Sequence, residues 1–171
     1  MISIANAKVE DAHLLVKLGS QTFIESHGHS ATNSDIDKYV NEKFNINVVQ
    51  EELADRKNIY HIIYHNQKPA GYSKIVFNEN HSGIQNGDVT KLERLYLLKE
   101  FYDLKLGYQL LEFNISLSEQ NNQEGMWLFV WKENLRAVRF YEKAGFEVVG
   151  SYDFKLTDSH SNPNHQMLLT Y

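Results

Sequence analysis

An anion-binding site is predicted where an apolar strand, Val89–Leu97, runs into a long amphipathic helix, Leu104–Gln120. The start of a helix presents several unpaired backbone N–H groups and the positive end of the helix dipole at one point. A pyrophosphate group suits such a point. Gly107, near the helix start, could serve this site or could be a packing glycine, and the segment alone leaves both interpretations open.

A phenol that could donate a proton stands on a later helix. Tyr141 lies in a helical stripe with Ala137, Phe140 and Ala144 at the spacing i, i+3, i+4, i+7. A phenol has a pKa near ~10, so it is protonated at neutral pH and can protonate a leaving group. Periodicity by itself favours a core aromatic at this position, so the catalytic interpretation depends on the wider motif.

Metal and thiol chemistry receive little support from the sequence. The chain has no cysteine, which excludes disulfides, thiolate metal sites and a nucleophilic cysteine. His27 and His29 stand two residues apart, but no third ligand is in view. A solvated loop is therefore favoured at these histidines, and no metal site is predicted.

Charge and hydropathy limit the classes of partner. The net charge of −5, from 17 basic and 22 acidic residues, disfavours nucleic acid and acidic membranes, because both reward Lys and Arg patches. It mildly favours a cationic small molecule through long-range steering. No apolar run approaches the ~20 residues of a membrane span, and Met1–Ile4 lacks the pattern of a signal peptide. A reducing cytoplasm suits a chain without cysteine.

The elements that must position these groups fit one domain, 1–171, because no Gly/Ser-rich linker or repeat interrupts the chain. The elements predicted before residue 80 are a strand at Ile2–Ala5, a helix at Val9–Phe23, one or two helices within Asn33–Asp55, and a hairpin of Asn58–Tyr64 with Gly71–Phe77. The first helix has a predicted inner stripe of Ala12, Leu15, Leu18 and Phe23. Asn33 or Ser34 is the predicted cap of the second.

The second half of the chain alternates strands and helices. After a polar loop at Asn78–Asp88, the predicted elements are Val89–Leu97 (strand), Leu104–Gln120 (helix), Gly125–Trp131 (strand), Glu133–Ala144 (helix), Phe146–Tyr152 (strand) and Gln166–Tyr171 (strand). The predicted inner face of the long helix carries Leu106, Leu110, Phe113 and Leu117. This alternation indicates an α/β layer with locally parallel strands, and the flanking hairpins make the sheet mixed.

Two segments together resemble the GNAT superfamily of N-acetyltransferases. Leu95–Leu111 contains Gly107 as the last glycine of the motif Gln/Arg-x-x-Gly-x-Gly/Ala. Trp127–Gly150 is similar to the signature strand–Asn–x–x–Ala–x–x–Phe–Tyr–x–Lys–x–Gly–Phe, which is nearly complete here. The resemblance follows the element order of the whole chain, is strongest from Glu93 to Gly150, and is greatest to bacterial PaiA-like polyamine acetyltransferases.

This resemblance implies the fold and the co-substrate. The implied fold is an α/β GNAT fold, with a mixed, mostly antiparallel sheet, two splayed parallel central strands and flanking helices. The implied activity is direct transfer of an acetyl group from acetyl-CoA to a primary amine in a ternary complex, without a metal. The implied phosphate-binding segment is Tyr102, Asp103, Leu104, Lys105, Leu106, Gly107 and Tyr108.

This phosphate-binding segment departs from the family pattern at two positions. Tyr102 stands where Gln or Arg is usual, and Lys105 replaces the first glycine. Glycine would allow close approach of the backbone to phosphate and a positive φ. Lysine loses that freedom but adds a charge that can contact phosphate. We expect weaker or rearranged CoA binding rather than none.

Further roles carry over from the family by position. Leu95, Tyr96 and Leu97 are expected to bind the pantetheine amides and the thioester carbonyl through their backbone, as an added strand would. Asn134 is expected to cap its helix and to contact the pantetheine arm, and Lys143 to contact the cofactor.

Tyr141 is expected to protonate the departing CoA thiolate. Glu93 is a candidate general base for the incoming amine, with a surface partnership to Arg94 or Lys91 as the alternative. Thr22, Phe23 and Glu25 are expected to wall the acceptor pocket, with Glu25 attracting a cationic amine.

The acceptor and the assembly stay open at this level. A small polyamine is the favoured acceptor, and a peptide or protein amino group is the alternative. The degenerate phosphate-binding segment also allows a non-catalytic CoA-binding module, although Tyr141 and Asn134 argue against it. The family often forms dimers, so a homodimer is an open option.

Overall fold

The computed structural model describes residues 1–84 and 87–171. Residues 85–86, which belong to the predicted polar loop, lie outside the described residues. Within them, the strands are β1 (Ile2–Asn6), β2 (Asn58–His65), β3 (Lys68–Val76), β4 (Val89–Leu97), β5 (Gly125–Trp131), β6 (Glu147–Lys155) and β7 (Ser161–Thr170). The helices are α1 (Ala12–His27), α2 (Asn33–Lys43), α3 (Ile46–Ala54), α4 (Leu106–Gln120) and α5 (Leu135–Lys143), with 3₁₀ turns at Val9–Asp11 and Lys99–Phe101.

The strands form one mixed sheet in the order β1-β2-β3-β4-β5-β7-β6. β4 and β5 are parallel and pair over Val89–Lys91 and Gly125–Trp127, whereas β4 itself continues to Leu97. The pairs β1–β2, β5–β7 and β6–β7 are antiparallel. This arrangement confirms the predicted α/β fold with two parallel central strands.

The chain divides into two compact units, with β3, β4 and α4 running through both. Unit 1 comprises Met1–Lys74 and Arg94–Leu111. Its α1 buries the predicted stripe of Ala12, Leu15, Leu18 and Phe23, because these residues recur on one helical face. The helix continues four residues beyond its predicted end, to His27.

Two details of unit 1 differ from the sequence prediction. The cap of α2 is Thr32, one residue before the predicted Asn33 or Ser34, because its extended backbone lets Oγ1 accept the Asp35 N–H at 3.2 Å. The turn between β2 and β3 is shorter than predicted: it consists of Asn66 and Gln67, which both adopt the positive φ of a two-residue hairpin turn.

Unit 2 comprises Ile75–Glu93 and Glu112–Tyr171. Every residue of β5 except the half-buried Phe129 is buried, which matches its apolar sequence. The predicted inner face of α4 is wrong in this unit: Phe113 is 39% exposed, whereas Asn114 and Ser118 are buried. Ser118 can be buried because its hydroxyl forms a hydrogen bond with Thr90 Oγ1 of β4, 2.6 Å long.

Candidate active site

Two of the three residues that directly precede α4, Asp103 and Lys105, have a left-handed backbone conformation. Asp103 has φ +65° and Lys105 has φ +58°, and α4 begins directly after them, at Leu106. The helix therefore starts two residues later than predicted, since a left-handed residue cannot belong to a right-handed helix. Leu104 and Tyr108 are 45% and 47% exposed, whereas Leu106 is buried, so one side of the start of α4 is open to solvent. An exposed helix start after such a turn can bind an anion through backbone N–H groups.

Leu106 and Gly107 are buried at the first turn of α4, so they can contribute only through the backbone. Tyr102 is half-buried, and Asp103 and Lys105 are exposed. The positive φ of Lys105 explains why the family pattern has glycine at this position, because glycine adopts this conformation without steric cost. The lysine keeps the turn and adds a cation beside the helix start.

Substitution at Lys105 provides a test of this turn. Lys105→Gly is expected to keep the fold and to change the free energy of unfolding by less than about 1 kcal/mol, because relief of left-handed strain offsets the greater freedom of the unfolded chain. Lys105→Val is expected to destabilise the chain by about 1–2 kcal/mol, because a β-branched residue tolerates positive φ poorly. Urea denaturation of both variants measures the difference, and equal stability would contradict the left-handed turn.

The end of β4 is packed tightly against β3. Leu98 N–H donates to the Ala70 carbonyl at 2.9 Å. A Cβ placed on Gly71 would lie 2.3 Å from the Tyr96 carbonyl oxygen and 2.9 Å from Leu97 Cα. Leu95, Tyr96 and Leu97 are half-buried. The segment that is expected to bind the pantetheine arm therefore packs directly against the backbone of β3 at Gly71.

The three residues expected to wall the acceptor pocket differ in exposure. Thr22 is fully buried, and its hydroxyl donates to the Leu18 carbonyl within α1 at 2.7 Å. Phe23 is also buried and stacks on Tyr39 with ring centroids 4.5 Å apart. Glu25 is half-buried, and its Oε2 accepts the backbone N–H of Lys99 at 2.8 Å, just after β4. Within unit 1, Glu25 thus joins the end of α1 to the end of β4.

His27, for which a solvated loop was predicted, makes a second contact between α1 and β4. Its ring stacks on Phe23 at 4.8 Å and meets the Tyr96 ring edge-on at 6.1 Å. Burial, together with the neighbouring charge of His29, lowers the pKa of His27 to about 4, so the imidazole is neutral at physiological pH. The neighbouring Gly28 and His29 suggested a loop, and nothing in the local sequence predicted that His27 packs against Phe23 and Tyr96.

Helix α5 of unit 2 carries Asn134, Tyr141 and Lys143. Asn134 is the N-cap, as predicted, because its Oδ1 accepts the Ala137 N–H at 3.2 Å. Tyr141 is 7% exposed, and its ring lies 5.5 Å from that of Phe146. Burial raises the pKa of Tyr141, so its hydroxyl stays protonated at neutral pH.

The predicted inner stripe of α5 is only partly correct, because Tyr141 is the one member of it that is buried. Val138 and Tyr141 are the buried residues that the structure gives for this helix, while Ala137, Phe140 and Ala144 are half-buried. Gly145 follows with φ +94°, which is the predicted left-handed end of the helix. The helix is shorter than predicted, since Glu133 lies before the cap and Ala144 after the last turn.

The outer face of α5 forms a basic surface depression of about 340 Å³, lined by Arg136, Arg139, Phe140 and Lys143. Three cations beside an aromatic ring suit an anion attached to a planar group. The depression contrasts with the chain's net charge of −5. Lys143, predicted to contact the cofactor, therefore lies in a surface suited to phosphate.

Glu93 is half-buried on β4, in unit 2. Its neighbour Lys91 places Nζ 5.3 Å from the centroid of the Trp127 ring. Arg94, the other partner considered for Glu93, forms an ion pair with Glu52 at 3.1 Å. Among the described residues, no group of three or more His, Cys, Asp or Glu side chains is placed to hold a metal ion. No helix in the described parts of the chain is long and apolar enough to cross a membrane.

Comparison with known proteins gives consistent matches to one family. A family profile described as "Acetyltransferase (GNAT) family" matches residues 22–146. An uncharacterised N-acetyltransferase from the pepI 3′ region of Lactobacillus delbrueckii subsp. lactis is 24% identical over 157 residues, covering 92% of this chain and 91% of the relative.

Two solved structures extend this similarity to the fold. The PaiA N-acetyltransferase of Thermoplasma acidophilum, solved in complex with coenzyme A, superposes with a TM-score of 0.79 at 19% identity, covering 100% of this chain and 99% of that one. The ribosomal-protein-S18-alanine N-acetyltransferase of Escherichia coli has a TM-score of 0.71 at 16% identity, covering 99% and 94%. At these identities the similarity applies to the fold alone.

Proposed function

The chain belongs to the GNAT family of acetyltransferases, and from this premise we propose that it acetylates a primary amine of a small polyamine by direct transfer in a ternary complex. The protein is an acetyl-CoA-dependent N-acetyltransferase. The single observation that carries the cofactor assignment is the exposed start of α4 behind the left-handed residues Asp103 and Lys105. A cytoplasmic location is part of the proposal.

The residues present fit the chemical groups of CoA. The α4 start and Lys105 suit its pyrophosphate. Acetyl-CoA supplies the acetyl group as an activated thioester.

We assign the backbone of Leu95–Leu97 to the pantetheine arm and the thioester carbonyl. Glu93, directly or through water, takes a proton from the acceptor amine. As the new C–N bond forms and the C–S bond breaks, Tyr141 donates its proton to the sulfur.

Three observations support a polyamine acceptor. The net charge of −5 favours a cationic substrate. Glu25 places a half-buried carboxylate at the end of β4. One solved neighbour is a PaiA N-acetyltransferase, the group that the sequence resembles. A peptide or protein amino group is the second candidate, favoured by the fold similarity to the S18-alanine N-acetyltransferase.

A panel of acceptors separates these candidates. Turnover with spermidine and spermine is compared with turnover on short peptides that have a free N-terminal alanine or a lysine side chain, at fixed acetyl-CoA. The proposal predicts a kcat/KM for spermidine at least about tenfold above that of any peptide, which corresponds to about 1.4 kcal/mol. A peptide preferred over both polyamines would contradict the polyamine assignment and leave the transferase activity intact.

Glu25→Gln is expected to raise the KM for spermidine about fivefold, because a half-exposed ion pair contributes up to about 1 kcal/mol. The Kd for acetyl-CoA should stay unchanged, since the amide oxygen can still accept the Lys99 N–H. Glu100→Gln removes an equal charge from an exposed residue nearby and serves as the control. Equal KM values for the two variants would exclude Glu25 as the amine anchor.

A further inference from the structure

A charged cluster centred on Glu52 lies inside unit 1. Glu52 Oε1 accepts from Lys74 Nζ of β3 at 3.0 Å, and Glu52 Oε2 accepts from Arg94 Nη1 of β4 at 3.1 Å. The Tyr60 hydroxyl donates to the same Oε2 and accepts from Arg94 Nη1 at 2.7 Å. The side chains of Lys74, Arg94 and Glu52 are only 4%, 10% and 21% exposed. A single carboxylate of α3 therefore binds side chains from three strands, β2, β3 and β4.

The cluster keeps its charges at neutral pH. Burial alone would raise the pKa of Glu52, but Arg94, the Tyr60 hydroxyl and Lys74 together hold it below its usual value. Burial and the adjacent Glu52 raise the pKa of Tyr60, so its hydroxyl remains a proton donor. The Glu52 carboxylate is thus ionised and fully engaged by its neighbours.

Arg94 occupies a particular place in the chain. It directly precedes Leu95–Leu97, the segment assigned to the pantetheine arm and the thioester carbonyl. Its guanidinium carbon lies 5.1 Å from the centroid of the Phe44 ring, in the connection between α2 and α3. The planar guanidinium is fixed by the Phe44 ring, by a carboxylate and by a hydroxyl, an arrangement that a flexible ammonium cannot reproduce.

We infer that Glu52 and Arg94 are positioning residues for acetyl-CoA: α3 holds Arg94 and thereby fixes the backbone of Leu95–Leu97 in the position that binds the thioester. This inference rests on the proposed function. Buried ion pairs contribute little net stability, because desolvation opposes the attraction between the charges. Their directional contacts instead fix geometry, and a misplacement of about 1 Å in a site can cost about 100-fold in rate.

The chain contains a matched control for the effect of stability. Lys74 contacts the same carboxylate at 3.0 Å and is also buried, but it lies on β3 and not on β4, the strand that carries Leu95–Leu97. Removing either cation leaves Glu52 with one cationic partner. Arg94→Met and Lys74→Met should therefore have similar effects on folding and different effects on cofactor binding.

The test compares the full-length wild type with Arg94→Met, Lys74→Met and Arg94→Lys. Thermal unfolding gives Tm, calorimetry at 25 °C gives the Kd for acetyl-CoA, and steady-state kinetics with spermidine give kcat/KM. We expect both Arg94 variants to weaken acetyl-CoA binding at least about tenfold and to lower kcat/KM about 100-fold, with Lys74→Met within about twofold of the wild type. If Arg94→Met does not fold, Arg94→Lys retains the charge and supplies the comparison.

Each outcome bears on a separate claim. Equal losses of affinity in the Arg94 and Lys74 variants would mean that the cluster acts only through stability, and would overturn this inference alone. Unchanged acetyl-CoA affinity in the Arg94 and Lys74 variants would also overturn this inference alone. A wild type that binds no acetyl-CoA at millimolar concentration would overturn the cofactor-binding basis of the proposed function, and this inference with it.

Discussion

Replacing Tyr141 by phenylalanine is expected to lower kcat about 100- to 1000-fold and to leave the Kd for acetyl-CoA unchanged. The variant keeps the ring that packs 5.5 Å from Phe146 and loses only the hydroxyl. General acid catalysis typically contributes about 10²–10⁴-fold to a rate. The loss should therefore appear in kcat, measured as CoA thiol release at saturating acetyl-CoA and spermidine.

The pH dependence of wild-type activity provides a second test of Tyr141 as the general acid. Burial raises the pKa of its hydroxyl, so the proton needed for donation is retained as the pH rises to about 9, below the ~10 of an ordinary phenol. Tyr141 should cause no loss of activity below that pH.

Tyr152→Phe, which removes the hydroxyl of a 45% exposed tyrosine in the same unit, is the control for Tyr141→Phe. Unchanged turnover in Tyr141→Phe would remove this residue as the acid.

Gly71→Ala is expected to have the largest effect on the fold at the site. The added Cβ would meet the Tyr96 carbonyl oxygen at 2.3 Å and Leu97 Cα at 2.9 Å, and these backbone atoms can move only by displacing β4. Overpacking typically costs about 1–3 kcal/mol, so we expect a decrease of about 3 kcal/mol in the free energy of unfolding. The displaced strand should also weaken acetyl-CoA binding at least about tenfold.

Gly150→Ala is the matched control for Gly71→Ala. It adds the same methyl group to another strand glycine, but the Cβ would lie 2.9 Å from Oε1 of Gln166, the end of a flexible side chain. Urea denaturation and calorimetry on both variants make the comparison. If Gly71→Ala matched Gly150→Ala in stability and in acetyl-CoA affinity, the tight contact between β3 and β4 would have no role in forming the site.

The fold was predictable where local pattern and burial agree. The bounds of β4 and the helix cap at Asn134 were predicted correctly, because apolar strands and capping residues have local signals. The start of α4 was missed by two residues, since the sequence does not show that Lys105 adopts a positive φ. The burial of Ser118 and the exposure of Phe113 were missed because the hydrogen-bond partner of Ser118 is Thr90, a residue distant in the sequence.

The candidate site was predictable only in its motif residues. Tyr141 stands in a contiguous signature that the sequence displays directly. Arg94 and Glu52 are 42 residues apart and are brought together by packing of α3 on the sheet, which no local pattern records. The neutral state of His27 likewise depends on burial against Phe23 and Tyr96.

The most direct test of the central claim is to detect both products of the transfer in one reaction. The protein is incubated with acetyl-CoA and spermidine, CoA thiol is quantified, and the amine is analysed by mass spectrometry. Our account predicts one N-acetylspermidine for each CoA thiol released, and no release in the Tyr141→Phe variant on the same timescale. Thiol release without an acetylated amine, or no transfer to any primary amine at millimolar concentration, would contradict it.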